Sequence, residues 1–355
     1  MKLTPETLAG TLVIALLVAA GAWYAQDPAS ERWPLTGFSA GDAKGNGRLP
    51  VNINHLDWSA DGRKLLARIR GENDSEARLA LIDVALPDRQ SELEAVDDTV
   101  SAAVLAPEAQ HVLAASVAGR LWRLCPESSD LPTPLIESPV PTSFTAMAIT
   151  TDGGMVAAGT SQGTVYLCDA VRRSPIVLSG TDPESMTDLH FDRDGMRLLG
   201  AKRNGRICLW DVASGDVLQE FTGHKGQAMA AVFLSDGKRI ISAGLDDTVR
   251  IWEIDSGLEI WRGEFELKGV STLAVSADGR TAAWAGFSPR IIMWDLHRHA
   301  KKFEIPTSAK CVLHLKFSPD GTLLAAAGQD DSIRLYDVWT GAETRRIEIA
   351  SRKNL

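Results

Sequence analysis

Residues 223–253 read GHKGQAMAAVFLSDGKRIISAGLDDTVRIWE, and this stretch decides the fold. Val249 and Ile251 alternate with Arg250 and Trp252, and a period of two is typical of a strand rather than a helix. An Asp-Gly pair interrupts the pattern at positions 236–237, where it supplies the positive φ that a short hairpin turn needs. With the residues that follow, the stretch predicts four short strands: Ala228–Leu234, Arg239–Ala243, Thr248–Ile254 and Leu258–Gly263.

The same pattern repeats along the chain at a constant step of 42 residues. The Asp-Gly pair recurs in five successive units, as Asp152-Gly153, Asp194-Gly195, Asp236-Gly237, Asp278-Gly279 and Asp320-Gly321. A second mark keeps the same step, as Cys168-Asp169, Trp210-Asp211, Trp252-Glu253, Trp294-Asp295 and Tyr336-Asp337. Two looser units precede these five, marked by Asp61-Gly62 with Ile82-Asp83 and by Glu108-Ala109 with Trp122-Arg123. The sequence therefore contains seven repeats of one supersecondary unit.

Seven repeats of four short strands predict an all-β protein, a seven-bladed β-propeller of four-stranded antiparallel blades. Turn signals about every ten residues are typical of a sandwich, a barrel or a propeller, and a repeat of about 42 residues selects the propeller. One four-stranded sheet leaves both its faces uncovered, so each blade packs against two neighbours. We expect each blade to be one continuous stretch, with Val51–Trp58 as the first strand and Glu343–Ile349 as the last. The ring would be six-bladed or open if His55–Val96 did not form a blade.

These repeats resemble the WD-repeat family, and the resemblance runs from His55 to Ile349. It implies that a His, a Ser, an Asp and a Trp of one repeat form a hydrogen-bonded tetrad that braces the blade. In the fifth repeat these residues are His224, Ser242, Asp246 and Trp252. Other repeats depart from the pattern: the fourth has Gly200 and Asn204 in place of Ser and Asp, the sixth has Trp284 and Ser288 there, and the seventh has Ser308 and Ala326 in place of His and Ser. We therefore expect one fully braced blade, and blades that differ in rigidity.

The resemblance also implies a function, because WD-repeat propellers generally act as rigid scaffolds that bind proteins or peptides on the narrow face and the blade edges. Loops at equivalent positions of successive repeats converge on that face. The candidate partner-binding residues are Arg203, Gln227, Leu245, Phe287 and Gln329. Aromatic residues and arginine dominate binding energy at such surfaces, so Phe287 and Leu245 beside Arg203 form the predicted hot spot. We expect a monomeric propeller and a protein or peptide partner.

An uncharged segment precedes the repeats, from Thr7 to Gln26, and its centre, residues 8–20, reads LAGTLVIALLVAA. About nineteen residues at ~1.5 Å each reach about 28 Å as a helix, close to the thickness of the hydrocarbon core. We therefore expect residues 7–25 to enter a membrane as one hydrophobic helix, with Trp23 and Tyr24 at the interface. The expected organisation is an anchor or signal segment in residues 1–26, a linker in 27–50, the propeller in 51–350 and a tail in 351–355.

Two fates of this hydrophobic segment remain open. An uncleaved single-pass anchor would leave the propeller outside the cytoplasm. The two positive charges of Lys2 and the terminal amine exceed the single negative charge of Glu6, and the more positive flank of a membrane span usually stays in the cytoplasm. A signal peptide cleaved at the small residues Ala20-Gly21-Ala22 would instead release a secreted or periplasmic protein. The length of the hydrophobic run favours the anchor.

Composition and motifs argue against several function classes. A net charge of −9 argues against a nucleic-acid partner, since phosphate binding needs clustered Lys and Arg. The cysteines at positions 125, 168, 208 and 311 fit no zinc pattern, and we expect all four to be free and buried. The sequence has no phosphate-binding loop, nucleophile elbow or HExxH motif, so neither a metal nor a cofactor is predicted.

Catalytic propellers normally place carboxylates or histidines around the axial channel, whereas we expect Ala, Gly, Met, Leu and Thr to dominate the inner strands here. The predicted function is therefore a non-catalytic interaction scaffold tethered to a membrane. Two alternatives remain. One is an exported ligand-binding or hydrolytic propeller with an axial site, and the other is a cytosolic regulatory scaffold anchored from the inner side of the membrane.

Overall fold

The computed structural model describes residues 52–70, 77–87, 90–93, 99–126, 132–138, 142–169, 175–179 and 182–349. Within them, 28 strands form seven antiparallel sheets of four consecutive strands each. This is the predicted seven-bladed propeller, and each blade is one continuous stretch, as expected. No helix in this described part of the chain is long and apolar enough to span a membrane. The predicted hydrophobic segment, the linker and the C-terminal tail lie outside the described residues.

The blades are numbered in chain order, and the first four precede residue 222. Blade 1 contains β1 (Asn52–Trp58), β2 (Lys64–Arg70), β3 (Arg78–Asp83) and β4 (Gln90–Leu93). Blade 2 contains β5 (Val100–Leu105), β6 (Val112–Ser116), β7 (Arg120–Leu124) and β8 (Thr133–Glu137). Blade 3 contains β9 (Phe144–Ile149), β10 (Met155–Thr160), β11 (Thr164–Asp169) and β12 (Ile176–Ser179). Blade 4 contains β13 (Met186–Phe191), β14 (Arg197–Lys202), β15 (Ile207–Asp211) and β16 (Val217–Phe221).

The strands of the last three blades are the most uniform in length, at six or seven residues each. Blade 5 contains β17 (Ala228–Phe233), β18 (Arg239–Gly244), β19 (Thr248–Glu253) and β20 (Glu259–Glu264). Blade 6 contains β21 (Val270–Val275), β22 (Thr281–Gly286), β23 (Arg290–Asp295) and β24 (Ala300–Pro306). Blade 7 contains β25 (Val312–Phe317), β26 (Leu323–Gly328), β27 (Ser332–Asp337) and β28 (Glu343–Glu348). The first strands of neighbouring blades contact one another, so they surround the axis and the fourth strands lie at the circumference.

The Asp-Gly pairs form the predicted turns between the first and second strands. In blade 5, Gly237 has a φ of 64°, and its amide donates to the carbonyl oxygen of Leu234 at 3.0 Å. Oδ1 of Asp236 accepts a hydrogen bond from the amide of Lys238 at 2.9 Å, which completes the turn. In blade 2, Ala109 stands where the other repeats have glycine and holds a φ of 55°, a conformation that costs an L-residue about 1 kcal/mol.

Mutual burial between neighbouring blades forms the core. Among the described residues there are seven apolar clusters, and each contains side chains from two adjacent blades. The third-strand aromatics Trp210, Trp252 and Tyr336 expose 2% or less of their surface, so they fill the space between sheets as predicted. Small residues on the second strands permit close approach: a Cβ on Gly159 would lie 2.9 Å from Cβ of Met186 in the next blade.

The ring closes by packing between blades 1 and 7. One cluster joins Ile53 and Leu56 of blade 1 to Ala325 of blade 7. Across the same junction, Nε1 of Trp58 donates to the carbonyl oxygen of Lys316 at 3.2 Å. In the described strands, every blade takes its four strands from its own repeat, so closure requires no exchange of a strand.

All four cysteines are free. Three of them are buried as predicted, and burial raises the pKa of Cys168 and Cys208 to about 12 and that of Cys311 to about 11. Cys125 is half-buried, so the expectation of four buried cysteines is wrong for this residue. It directly follows the end of β7, where the chain leaves the sheet and loses the cover of a neighbouring blade.

Candidate functional site

Blade 5 joins the four tetrad residues in one hydrogen-bonded chain. Nδ1 of His224 lies 2.9 Å from Oδ1 of Asp246, and Nε2 of the same ring lies 2.8 Å from Oγ of Ser242. Nε1 of Trp252 donates to the Ser242 oxygen at 2.9 Å. The chain of contacts connects the loop before β17, strand β18, the loop that follows it and strand β19.

An ionic network extends the tetrad towards the circumference of the blade. Oδ1 of Asp246 accepts a hydrogen bond from Oγ1 of Thr248 at 2.8 Å, and Oδ2 accepts one from Nη2 of Arg250 at 3.0 Å. Arg250 also donates through Nη1 to Oε2 of Glu259 at 2.7 Å. The guanidinium is almost fully buried, and its charge is balanced by these two carboxylates.

The environment of Asp246 favours its ionised form. Burial alone would raise the pKa of this carboxyl, but hydrogen bonds from His224 and from the amide of Lys225 outweigh that effect and hold the pKa well below its ordinary value. The charged groups of the network are engaged with one another inside the blade. The arrangement therefore braces the sheet.

Blades 4 and 7 use other polar contacts at the same register positions. In blade 4, Asp182 stands at the position of the tetrad histidine, where it binds the buried Lys202 and accepts a hydrogen bond from Nδ2 of Asn204 at 2.5 Å. In blade 7, Arg334 is paired with Asp330, as Arg250 is paired with Asp246 in blade 5. In blade 4 the departures from the family pattern change the bracing contacts, whereas in blade 7 they leave Oδ1 of Asp330 buried without a hydrogen-bond partner among the described residues.

The five candidate partner-binding residues lie in loops of one face and are all half-buried: Arg203, Gln227, Leu245, Phe287 and Gln329. The amide of Leu245 donates to the carbonyl oxygen of Gln227 at 2.9 Å. Leu245 and Phe287 approach each other across Gly269, because a Cβ there would lie 3.1 Å from Cδ2 of Leu245 and 3.5 Å from Cδ2 of Phe287. Gln227, Leu245 and Phe287 are thus brought together, and the other two residues occupy the equivalent loops of the flanking blades 4 and 7.

Polar side chains occupy the axial channel. Six of them come from the first strands of blades 1, 4 and 7: His55, Asp57, Asp188, His190, His314 and Lys316. On each strand the two residues are two positions apart, so they share one side of the strand. Lys316 of blade 7 interacts electrostatically with His55 of blade 1 and also with His190 of blade 4, across the ring. These side chains therefore face one common space.

The expectation that Ala, Gly, Met, Leu and Thr dominate the inner-strand positions is wrong for blades 1, 4 and 7. The sequence shows that side chains alternate along a strand, but not which alternate set faces the axis. A shift in strand register precedes His55, Asp188 and His314, as it does at the start of the first strand in the other four blades, and the sequence does not reveal it. The recurrence of two polar residues two positions apart in NINHLDW, MTDLHF and VLHLKF was the available signal.

Hydrogen bonds from the axial side chains join neighbouring blades. Oδ2 of Asp188 accepts from the amide of Ala231 at 3.2 Å, which links blade 4 to blade 5. Nδ1 of His314 accepts from the amide of Leu56 at 3.3 Å, which links blade 7 to blade 1. His314 therefore carries its proton on Nε2. These bonds give the axial residues a structural role at the blade junctions.

Enclosure shifts the protonation of the axial groups. Burial, followed by the charge of Lys316, lowers the pKa of His55 to about 3 and that of His190 to about 4. Burial raises the pKa of Asp188 to about 6. The imidazoles are thus neutral at pH 7. Nε2 of His55 and Nδ1 of His190 are buried and have no hydrogen-bond partner within the described chain.

The axial residues do not form a metal centre. No group of three or more His, Cys, Asp or Glu side chains in the described ranges is arranged to hold a metal ion. Oδ1 of Asp57 lies 3.4 Å from Nζ of Lys316, so this carboxylate is engaged by a cation of the protein itself.

Comparison with known families agrees with this architecture. The family model described as WD domain, G-beta repeat matches residues 215–253 and 300–337. Each match begins at or just before the fourth strand of one blade and ends with the third strand of the next, in blades 5 and 7. Together with the seven four-stranded blades, these matches support a WD-repeat propeller. None of the curated proteins compared with the chain matches it.

Proposed function

We propose that the protein is a non-catalytic scaffold that binds a partner protein or peptide through the loop face that contains Leu245 and Phe287. The observation that carries this proposal is the approach of these two apolar side chains across Gly269, which has no side chain to separate them. Aromatic and apolar anchors with polar neighbours are typical of interface hot spots, and Gln227 supplies such a neighbour, with Arg203 in the equivalent loop of blade 4. WD-repeat propellers typically mediate protein–protein interactions and are typically non-catalytic, which supports the same function.

A site-specific photocrosslinker tests this surface. Placed at Leu245 or at Phe287, it should capture the same partner in native membranes, because the two positions belong to one patch. Met196 and Trp339 are the matched controls: they are 68% and 72% exposed, but they lie in turns at the opposite ends of the strands. Crosslinkers at these controls should capture nothing.

Substitution of the proposed hot spot gives the second arm of the test. Arg203→Glu combined with Phe287→Ser should abolish capture by a crosslinker at Leu245 and leave the melting temperature nearly unchanged, because both residues are half-buried in loops. Capture that persists at the level of the unchanged chain would remove the proposal.

We further propose that residues 7–25 tether the propeller to a membrane, with the propeller outside the cytoplasm. The uncharged run and the positive charge of Lys2 support this topology. Protease added to intact cells, with the outer membrane opened where there is one, should digest the propeller, whereas protection would indicate a scaffold on the cytoplasmic side. A mature chain that begins near Ala22 and does not sediment with membranes would instead establish a cleaved, secreted or periplasmic form.

Ligand binding in the axial channel is the second candidate function. It is favoured by the unpartnered imidazole nitrogens of His55 and His190, which lie in the same channel as Lys316. Inorganic phosphate is the probe, and to bind Lys316 it must displace the carboxylate of Asp57 from that cation. A saturable shift of the imidazole NMR resonances that is lost in Lys316→Met would support the candidate. Resonances that do not move up to high phosphate concentration would remove it.

A further inference from the structure

Blade 6 contains a cavity at the positions that the tetrad network occupies in blade 5. Its volume is about 330 Å³. Residues that line it include Phe265, Glu266, Arg290, Trp294, Lys301 and Glu304. The 42-residue step equates Glu266 with His224 and Trp294 with Trp252. An internal network in one blade is thus replaced by a space in the next blade, and its size falls within the range of ligand pockets.

At the position equivalent to Ser242 of blade 5, blade 6 has Trp284, and this difference changes the centre of the blade next to the cavity. Trp284 is fully buried, and its indole occupies the position from which Ser242 bridges the tetrad in blade 5. Trp294 has no serine to donate to and packs against Trp284 instead, with 5.3 Å between the ring centroids. It is half-buried, whereas the equivalent Trp252 is buried.

A second replacement provides an aromatic wall. In blade 5, Gly223 leaves room for the network, because a Cβ there would lie 2.7 Å from Nη1 of Arg250. Blade 6 has Phe265 at the position of Gly223 and Ile292 at that of Arg250. With the guanidinium gone, the ring of Phe265 fits and packs edge-on against Trp284, with 4.8 Å between centroids.

Two hydrogen-bond donors of residues that line the cavity have no partner. Nε1 of Trp294 and Nε of Arg290 are buried, and neither finds an acceptor in the described part of the chain. In blade 5 the equivalent indole of Trp252 donates to Ser242. Buried donors are nearly always paired in proteins, so blade 6 leaves unsatisfied a polar group of the kind that blade 5 pairs.

One carboxylate of the cavity is already neutralised by the protein. Oε1 of Glu304 lies 2.7 Å from Nζ of Lys301, and Oε2 lies 3.6 Å from Nη1 of Arg290. These three side chains hold one another, and Nη2 of Arg290 also donates to the carbonyl oxygen of Glu266 at 3.1 Å. The two cations are therefore engaged and are not free to bind an acidic ligand.

The other carboxylates favour a cationic ligand. Glu264 and Glu266 are exposed on either side of Phe265, and no ion pair joins either of them to another described residue. The faces of Phe265 and Trp294 add to the attraction, because aromatic faces bind cations. The net charge of −9 acts in the same direction.

We propose that this cavity binds a lysine or arginine side chain of a partner protein. The cation lies against the rings of Phe265 and Trp294, between the carboxylates of Glu264 and Glu266. The site uses none of the loop residues of the proposed scaffold face. It therefore adds a second contact, which recognises a positively charged side chain of the partner.

Peptide titration of the full-length chain in detergent micelles tests this site. The probe is acetyl-Ala-Arg-Ala-amide, and the readout is the indole N–H resonance of Trp294, which is identified by its loss in Trp294→Phe. This resonance should shift saturably, with an affinity about tenfold or more above that for acetyl-Ala-Glu-Ala-amide or acetyl-Ala-norleucine-Ala-amide, because only the arginine peptide places a cation between the carboxylates. Glu264→Gln combined with Glu266→Gln should weaken binding of the arginine peptide about tenfold.

The matched control is Asp255→Asn combined with Glu348→Gln, which removes two charges from exposed positions outside the cavity. This pair should leave the affinity unchanged, and an equal loss of affinity would reveal only a general attraction to an acidic protein and overturn the proposal. Stronger binding of the glutamate peptide, equal binding of the norleucine peptide or an unmoved Trp294 resonance would overturn it as well. Crosslinking at the loop face involves none of these residues, so the two proposals fail independently.

Discussion

Blades 5 and 6 share the order of their strands and the turns between them, but they fill the same position with opposite chemistry. Ser242 of blade 5 joins a buried hydrogen-bonded chain, whereas Trp284 of blade 6 packs among aromatic rings beside a cavity. The strand pairing is nevertheless equivalent, because Ser242 is opposite Arg250 and Trp284 is opposite Ile292. Turns, alternation and neighbouring blades therefore specify the backbone, and the tetrad adds local bracing to a sheet that forms without it.

Truncation at this shared position should give the largest effect. Trp284→Ala is expected to lower the free energy of unfolding by about 4 kcal/mol, because it removes a fully buried aromatic side chain. Ser242→Ala should cost only about 2 kcal/mol, since it leaves the partners of one hydroxyl unpaired. Urea denaturation followed by circular dichroism measures both values. Equal losses would show that the two blades depend on this position in the same way and would contradict a difference between them.

The position of the tetrad histidine should separate the two blades further. His224→Ala is expected to cost about 3 kcal/mol, because it empties a buried site and leaves Asp246 and Ser242 without their shared partner. Glu266→Ala, at the equivalent position of blade 6, should change the free energy of unfolding by less than about 0.5 kcal/mol, since this side chain is exposed. The same denaturation experiment applies, and a large cost for Glu266→Ala would reveal a hidden bracing role in blade 6.

Blade 5 should also carry a pH dependence of its own. The lowered pKa of Asp246 means that its ionised form stabilises the fold above the ordinary value of 3.8, and that this stabilisation is lost as the pH falls below that value. Asp246→Asn should therefore cost about 2 kcal/mol at pH 7 and progressively less below about pH 4. Melting temperatures of both forms between pH 3 and pH 7 provide the measurement. A constant difference across this range would contradict the assignment of the stabilisation to the charged carboxylate.

The smallest effect should come from the third-strand tryptophans. Trp252→Phe is expected to cost about 1.5 kcal/mol, because Ser242 loses the indole donor and some buried surface is lost. Trp294→Phe should lie within about 0.5 kcal/mol of zero, because the indole N–H that it removes has no acceptor within the described residues. A cost for Trp294→Phe as large as that for Trp252→Phe would mean that its indole is bonded in solution.

The fold could be predicted closely from local patterns. The strand predicted over Ala228–Leu234 is β17 at Ala228–Phe233, and the one predicted over Glu343–Ile349 is β28 at Glu343–Glu348. Asp-Gly turns and two-residue alternation act within a few residues of one another, so they can be recognised without knowledge of the rest of the chain. The resemblance to the WD-repeat family placed the tetrad at His224, Ser242, Asp246 and Trp252, and the hydrogen bonds of blade 5 join these residues.

The two sites that depend on more than one blade could not be predicted in this way. His55 and His190 face the same channel only because the ring brings blades 1 and 4 around one axis. The substitution of Trp284 for serine was visible in the sequence, but its consequence depends on Phe265 from the preceding loop. The repeat alone predicts neither the partial exposure of Trp294 nor the cavity beside it.

The amino-acid sequence by itself determined the number of blades and their strand order, because turns and side-chain alternation are short-range properties that a repeat displays seven times. The family resemblance added the single complete tetrad. The tertiary structure alone decided which polar residues meet in the axial channel and where blade 6 opens a cavity. Those outcomes depend on strand register and on packing between residues that are far apart in the chain, and such contacts exist only once neighbouring sheets have buried each other's faces.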